Sequence, residues 1–324
     1  MIKILMFFVL FFGIIYSRTI KIATLAPKKS LWGHTLTSIK NDLKKTSGIK
    51  LKIYFGGRMG DENVMVSRIK IGQIGGGAFT GRGLGIISGE TRVLELPFLF
   101  SDKKQIKYVY KKIEKDLDKY YLKNNFKLIA LIDAGNAYIF SKRNISDFKS
   151  FYKMKMWVWK GDSLAHEFAK QLKIKIFPIN FTEVLPSLET GIIDSFYSTP
   201  TGAVSLQWFL NTKYILYLQI VTVSSGLVLS KKEWKKLKQN EKQQFVNITK
   251  KYFNVLSKNI SIQDSKSVSI LKNKYNFKII KNYFKKDYLL KIKKKVNNSL
   301  IDKLYSNEIY LKLVKYINMF KKEK

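Results

Sequence analysis

Strand-like and helix-like segments alternate along this chain from residue 19 to about residue 197. Segments 19–25 and 50–55 alternate apolar and polar residues, the pattern of a half-buried strand. Between the strands, apolar residues recur at helical spacing. The same patterns predict further strands at 127–131, 154–159, 175–178 and 192–197, and helices at 61–71, 103–123, 164–172 and 183–190. Such alternation is typical of parallel sheets covered by helices on both faces, so the sequence predicts an α/β fold.

The last part of the chain has a different pattern. From about residue 231 onward it is rich in lysine and predicted to be helical. Its predicted buried stripe consists of Leu237, Phe245, Ile248, Tyr252 and Leu256. A chain of 324 residues is long enough for two lobes of ordinary domain size, each with its own core.

The N-terminus has the pattern of a secretory signal. A positive start at Met1–Lys3 precedes an apolar run at Ile4–Ile15, which is too short to span a bilayer. We therefore predict a signal peptide at 1–17, cleaved near Ser17, and export to the periplasm. A buried core strand or an uncleaved anchor are the alternatives. The chain contains no cysteine, which excludes disulfides, thiolate metal sites and a lipid-modified N-terminal cysteine.

The net charge of +37 raises the question of a polyanionic partner. Only six of the sixty basic residues are arginine, although arginine is the residue that recognises bases and phosphates most specifically. The lysines are also spread along the whole chain. We interpret the charge as a solvated, lysine-coated surface and predict no nucleic-acid partner. A protein that binds polyanions or membrane surfaces remains an alternative.

Motifs that would indicate catalysis are missing. His34 and His166 have no partner at metal-ligand spacing, and the glycine-rich run 75–85 lacks the Gly-Lys-Ser/Thr that closes a phosphate loop. Ser198 has no nucleophile-elbow context. Asp162 is interpreted as a helix N-cap, with a position facing a cleft as the alternative. We predict no catalytic residue, no metal site and no cofactor.

Two segments of the sequence resemble each other. In 72–80 and again in 191–200, a glycine that ends a helix is followed by a short strand and then by polar and aromatic residues. Ligands of open α/β sheets bind beyond the carboxyl ends of the strands. Two such edges that face each other would form a cleft.

Several motifs together resemble the substrate-binding subunit of tripartite ATP-independent periplasmic (TRAP) transporters, the DctP-type family. They are 56–62 (GGRMGDE), 70–74 (KIGQI), 94–100 (LELPFLF), 188–197 (LETGIIDSFY) and 230–237 (SKKEWKKL). The resemblance covers about 18–260 in consistent order and spacing.

The resemblance implies a two-lobed clamp of the type II periplasmic-binding-protein class, with hinge strands and a helical C-terminal region. We expect lobe I to comprise 18–134 plus about 223–262, and lobe II to comprise 135–222 plus about 263–324. It also implies a non-enzymatic protein that binds a small molecule and delivers it to the permease subunits of a TRAP transporter.

The sequence departs from the family at the position that matters for the ligand. Family members that take organic acids carry an arginine on the strand that opens the second lobe, and here Trp157 stands in its place. No arginine follows Arg143. Strand alternation places Trp157 and Trp159 on one face, where they line either a cleft or a core. Indole rings provide apolar and cation–π surface in place of a carboxylate-binding cation.

We therefore expect an apolar or amphiphilic ligand. The predicted ligand-binding residues are Trp32, Phe79, Thr80, Asn136, Trp157, Trp159, Tyr197, Ser198, Thr199, Gln207 and Trp208. The alternative is a carboxylate ligand that is held by a lysine such as Lys153, Lys155 or Lys160.

Overall fold

The structure is a computed structural model that describes residues 19–323. The predicted signal peptide, residues 1–17, lies outside the described residues. The strands are β1 Thr19–Thr24, β2 Lys50–Tyr54, β3 Gly76–Thr80, β4 Phe126–Ser141, β5 Met156–Trp159, β6 Ile176–Ile179, β7 Ser195–Ser198, β8 Tyr214–Ser230 and β9 Lys278–Lys281.

The helices cover the sheet. They are α1 Leu31–Ser47, α2 Glu62–Lys70, α3 Gly81–Ile87, α4 Lys103–Lys123, α5 Phe148–Tyr152, α6 Ser163–Gln171, α7 Val184–Glu189, α8 Pro200–Ser205, α9 Lys231–Lys235, α10 Gln239–Tyr275, α11 Lys286–Leu300 and α12 Asn307–Lys322. Short 3-10 segments at Gly89–Glu95, Phe181–Glu183 and Trp208–Asn211 lie between them.

Local capping explains where the longer helices begin and end. The Ser30 hydroxyl accepts the Gly33 N–H at the start of α1, and Gly48 ends that helix in the left-handed conformation with φ of 70°. Asp102 accepts the Gln105 N–H at the start of α4. These ends agree with the capping residues of the sequence, which is why the predicted and observed bounds of α4 coincide.

All strands belong to one mixed sheet. Its order is β2-β1-β3-β8-β4-β7-β5-β6, and β9 pairs with β8. The groups β2-β1-β3 and β7-β5-β6 are each parallel, as the alternation predicted. The long strands β4 and β8 are antiparallel to each other and join the two groups. The expected separate parallel sheets are therefore linked by two strands that pass through both halves.

The pairing of β4 with β8 is irregular near its middle. The register shifts between Asp133 and Asn136, where Gly135 adopts φ of 97°. An additional residue in one strand bends it locally and disrupts the ladder. The expected lobe boundaries at 134/135 and 222/223 fall at this irregularity, since Asn136 pairs with Thr222. The division into lobes itself stays a prediction.

Strands β4 and β8 are longer than the sequence patterns indicated. Segment 127–131 predicted only the first part of β4, and the 17-residue β8 was not identified as a strand. The burial of β8 changes along its length, with exposed residues only in its first half. Strand β9 interrupts a region that was predicted to be entirely helical. It forms because Lys278–Lys281 pairs in parallel with Tyr214–Tyr217.

The helices α1 and α10 pack together over one face of the sheet. Phe253 of α10 is 1% exposed and meets the Trp32 ring edge-on at 5.4 Å. Of the predicted stripe, Leu237, Phe245 and Leu256 are buried, whereas Ile248 and Tyr252 are partly buried at the edge of the same core.

The C-terminal helices pack on both halves of the molecule. Helix α11 lies against α6, whereas α12 lies against α4. The contact between α12 and α4 includes polar bonds: Tyr316 and Lys312 both donate to the Asp116 carboxylate, at 2.7 and 3.1 Å. The segment expected in lobe II, 263–324, thus reaches elements of lobe I as well. Within residues 19–323, no helix combines the length and the apolar composition needed to cross a membrane.

The packing of α10 on α1 allows a matched test. We expect Phe253→Ala to lower the free energy of unfolding by about 3–5 kcal/mol, because it leaves a cavity beside Trp32. The control is Val255→Ala on the same helix, where the side chain is 50% exposed and the change should stay within about 0.5 kcal/mol. Urea unfolding of both variants measures this. Equal effects would contradict the packing described.

Candidate ligand-binding site

A cavity of about 280 Å³ lies at the carboxyl ends of the parallel strands. Its lining includes the last residues of β1, β3, β5 and β7, namely Thr24, Thr80, Trp159 and Ser198. This is the edge at which open α/β sheets bind ligands. The two segments that resemble each other in sequence both contribute to it. We call this space the cleft cavity.

One side of the cleft cavity is an aromatic wall formed by Trp157, Trp159, Phe181, Tyr197 and Trp208. Trp157 stacks on Tyr197 at 5.3 Å and meets Trp208 edge-on at 5.2 Å. Trp159 stacks on Phe181 at 5.3 Å. Such contacts add to the stabilisation that burial alone provides and hold the rings in fixed orientations.

The indole N–H groups of Trp157 and Trp159 are hydrogen-bonded. Trp157 Nε1 donates to the Ile179 carbonyl at 3.0 Å. Trp159 Nε1 donates to the Asp61 carboxylate at 3.2 and 3.3 Å, and the Phe181 N–H donates to the same carboxylate at 3.1 Å. Asp61 caps α2, so its carboxylate links the start of α2 directly to the aromatic wall.

Glu62 is a buried carboxyl group in the lining of the cleft cavity. Its two oxygens accept the Thr80 N–H at 2.7 Å and the Thr80 hydroxyl at 2.8 Å. Burial is the main cause that raises the pKa of Glu62 to about 8; the negative charge of Asp61 adds to this effect, and the two hydrogen bonds from Thr80 oppose it. Glu62 is therefore mostly protonated at neutral pH and provides little negative charge to the cavity.

Arg92 forms a buried ion cluster with two carboxylates at the cavity wall. Its Nη2 donates to both oxygens of Asp162 at 2.9 Å, and its Nη1 donates to Glu95. The three side chains are no more than 7% exposed. Burial opposes the charge of Arg92, but Asp162 and Glu95 outweigh it and raise the pKa of Arg92. Arg92 thus stays charged, and the carboxylates of Asp162 and Glu95 balance its charge.

Arg82 is the second cation of the lining. Its Nη2 donates to the Lys160 carbonyl at 3.2 Å and weakly to Asn63 at 3.4 Å. Within residues 19–323 it has no ion pair, and its buried Nε has no hydrogen-bond partner. Lysine is absent from the described lining of the cleft cavity. Lys153 and Lys160 are exposed, and Lys155 donates to the Gly191 carbonyl.

Most of the residues predicted from the sequence meet at this cavity. The lining contains Trp32, Phe79, Thr80, Trp157, Trp159, Tyr197, Ser198, Thr199 and Trp208. Asn136 and Gln207 are outside it: Asn136 accepts a hydrogen bond from Thr222, and Gln207 is exposed in a left-handed turn with φ of 60°. That these residues bind a ligand stays a prediction.

Sequence reasoning missed the charged residues of the site. Glu62, Arg82, Arg92 and Glu95 were not among the predicted residues, and Asp162 was interpreted first as an N-cap. It does cap α6, by accepting the Leu164 and Ala165 N–H groups, and it also faces the cavity. One signal was available: Glu95 interrupts the apolar run 93–100, and Arg92 directly precedes that run. Charged residues in such a run indicate a buried ion pair.

Neither histidine belongs to a metal-binding group among the described residues. Within residues 19–323, no group of histidine, aspartate or glutamate side chains is arranged to hold a metal ion. His34 lies on α1, and His166 on α6 leaves its buried Nε2 without a hydrogen-bond partner. Apolar rings with a few oriented polar groups are typical of small-molecule sites.

Comparisons with known proteins identify the family and the fold. The family model DctP, described as bacterial extracellular solute-binding protein, family 7, matches residues 22–303. No curated protein matches the sequence significantly.

Solved structures share the fold at low sequence identity. A sugar acid binding protein of Advenella mimigardefordensis in complex with galactonate has a TM-score of 0.84 and 19% identity, covering 93% of this chain and 98% of its own. A TRAP periplasmic solute-binding protein of Desulfovibrio salexigens with bound orotic acid has a TM-score of 0.84 and 16% identity, covering 93% and 97%. A TRAP periplasmic solute-binding protein of Xanthobacter autotrophicus with bound β-D-galacturonate has a TM-score of 0.85 and 17% identity, covering 92% of this chain and 99% of its own.

The raised pKa of Glu62 predicts a pH dependence of stability. The folded-state pKa of about 8 lies above the ordinary carboxyl value, so folding favours the protonated form. The resulting stabilisation is complete at acidic pH and is lost as the pH rises toward 8. The matched variant is Glu62→Gln, which keeps an acceptor for the Thr80 N–H. Relative to this variant, the free energy of unfolding of the wild type should fall by up to about 1.4 kcal/mol per pH unit as the pH rises toward 8.

Urea unfolding of both proteins at several values between pH 5 and pH 8 measures this difference. All other titrating groups are common to the two proteins and cancel. Parallel stability curves would show that Glu62 has an ordinary pKa.

Proposed function

The chain belongs to the DctP family, the bacterial extracellular solute-binding proteins of family 7, and we propose that it carries a small ligand with a largely apolar or amphiphilic body. As a member of this family it is a solute-binding protein of the periplasm and not an enzyme. It works with the permease subunits of a TRAP transporter in transport across the membrane. The class of ligand is the part that we infer from the cleft cavity.

The proposal is supported above all by the aromatic wall. It occupies the position at which a cleft that binds acids needs a cation. Trp157 is part of the wall, and Asp162 and Glu95 already match the charge of Arg92. Burial of apolar surface contributes roughly 25 cal/mol per Å². Micromolar binding corresponds to about 8 kcal/mol. A ligand held between aromatic faces can reach that affinity without an ion pair.

A carboxylate ligand is the second candidate, and the solved neighbours favour it. Galactonate, orotic acid and β-D-galacturonate, the ligands named for three of them, are all carboxylic acids. The expected lysines do not line the described cavity, so a carboxylate would meet a different cation. Arg82 suits this role because it lines the cavity without an ion pair of its own among the described residues.

We further propose that the ligand closes two lobes about the irregular middle of β4 and β8. In this proposal lobe I is 18–134 plus about 223–262, and lobe II is 135–222 plus about 263–324. Three contacts would then join the lobes across the cleft: Asp61 with Trp159, Arg92 with Asp162, and Arg82 with the Lys160 carbonyl. A ligand that contacts both lobes would stabilise this closed arrangement.

Identification of the natural ligand tests the ligand class directly. We expect mass spectrometry of the denatured native protein to release a compound with an apolar body, and calorimetry to show that Trp157→Ala weakens its binding by about 2 kcal/mol, or about 30-fold. Trp157→Phe should keep most of the affinity. The control is Trp234→Ala, on α9 outside the cavity lining, which should leave the affinity for the ligand unchanged. Tight, salt-sensitive binding of a plain organic acid that Trp157→Ala does not alter would reject the proposal.

Closure has its own measurement. Small-angle scattering of the protein with and without the copurified ligand should give a smaller radius of gyration for the bound form. The reason is that a hinge motion brings the two lobes together over the ligand. An unchanged radius, with binding established by calorimetry, would count against the clamp.

A further inference from the structure

Two carboxylates of the protein itself bind the Arg92 guanidinium, in the way that a ligand carboxylate would bind it. Its Nη2 donates to both oxygens of Asp162 at 2.9 Å, and its Nη1 donates to Glu95. Charge-assisted pairs of this kind are the strongest hydrogen bonds that arginine forms. Arg92, Glu95 and Asp162 all belong to the lining of the cleft cavity.

The surroundings of this cluster keep each partner in place. Asp162 Oδ1 also accepts the Leu164 and Ala165 N–H groups at 3.1 and 3.2 Å, which fixes the carboxylate at the start of α6. Glu95 Oε1 accepts the Ser224 N–H of β8 at 2.7 Å. A Cβ on Gly85 would lie 2.5 Å from the Arg92 Cδ, so the absence of a side chain there leaves room for Arg92.

The charged groups of the lining provide no surplus positive charge for an anionic ligand. Two arginines, Arg82 and Arg92, face the carboxylates of Glu95 and Asp162, and Glu62 adds little negative charge because it is mostly protonated. A ligand carboxylate could reach Arg92 only by displacing one of its own partners. That exchange would leave a desolvated carboxylate unpaired, which is costly in a buried site.

We propose that Asp162 determines the ligand specificity of the cleft cavity: by occupying Arg92, its carboxylate keeps a ligand carboxylate from pairing with Arg92 and favours the uncharged body that the aromatic wall accepts. This inference rests on the proposed function, because it explains how the cavity would prefer an apolar body. Glu95 contributes to the same effect from the other side of the guanidinium. Only Asp162, however, accepts hydrogen bonds from the guanidinium with both of its carboxylate oxygens.

The decisive variant is Asp162→Asn. Asparagine caps helices as well as aspartate does, so α6 should remain intact while the negative charge beside Arg92 is removed. With D-glucuronate as the probe, calorimetry should show binding to the variant that is at least about tenfold tighter than to the wild type, since Arg92 can then pair with the probe. Galactonate should behave in the same way.

Two further variants separate this effect from general changes. Asp147→Asn replaces another N-cap aspartate, at the exposed start of α5, and should bind D-glucuronate no better than the wild type. Adding Arg92→Gln to Asp162→Asn should abolish the gained binding. If Asp162→Asn does not fold, as judged by circular dichroism, Asp162→Ser provides the same test, because serine also caps helices without a charge.

The inference is overturned if the wild type binds D-glucuronate as tightly as the Asp162→Asn variant does, or if the gain persists without Arg92. The copurified ligand tests the proposed function, whereas the D-glucuronate titrations test the role of Asp162. An apolar natural ligand together with no gain in Asp162→Asn would reject this inference alone. An acidic natural ligand would reject the proposed ligand class whatever the variant shows.

Discussion

The antiparallel pairing of β4 with β8 is the interaction on which the rest of the structure depends. The two strands hydrogen-bond from Phe126 opposite Ser230 to Ser141 opposite Tyr214, and the parallel groups on either side attach to them. Because the carboxyl ends of β3 and β7 both point toward the middle of this pair, their last residues lie around one cavity. The irregular register at Asp133–Asn136 lies beside that cavity. The cleft cavity and the proposed hinge thus share one element.

The cleft cavity combines two kinds of packing that have different consequences. The aromatic wall provides large apolar faces at low cost in side-chain entropy. The indole N–H groups of Trp157 and Trp159 donate to Ile179 and Asp61, which fixes the orientation of these two rings. The cluster of Arg92, Glu95 and Asp162 is fully desolvated, so its net contribution to stability is small or unfavourable. A buried cluster of this kind is better understood as a determinant of which charges the site accepts.

The basic residues are divided between surface and interior by their chemistry. Lysines account for nearly all of the positive charge, and none lines the described cavity. Arg82 and Arg92, two of only six arginines, line it instead. A planar guanidinium can satisfy several hydrogen bonds when buried, whereas an ammonium group is strongly hydrated and stays in water. The high net charge therefore says little about the chemistry of the site.

The sequence by itself determined the α/β class, the family, the bounds of α4 and, to within one residue, those of α2, α6 and α7, and it identified nine of the residues that line the cavity. These features depend on local periodicity, capping and motifs, as α4 and the segments around Phe79 and Tyr197 illustrate. Tertiary structure alone decided the length of β8, the strand β9 and the partners of Arg92. Strand β9 exists only because β8 offers it an edge, and Arg92 and Asp162 are seventy residues apart in sequence. Local patterns cannot report such contacts, because their free energy comes from partners that are distant along the chain.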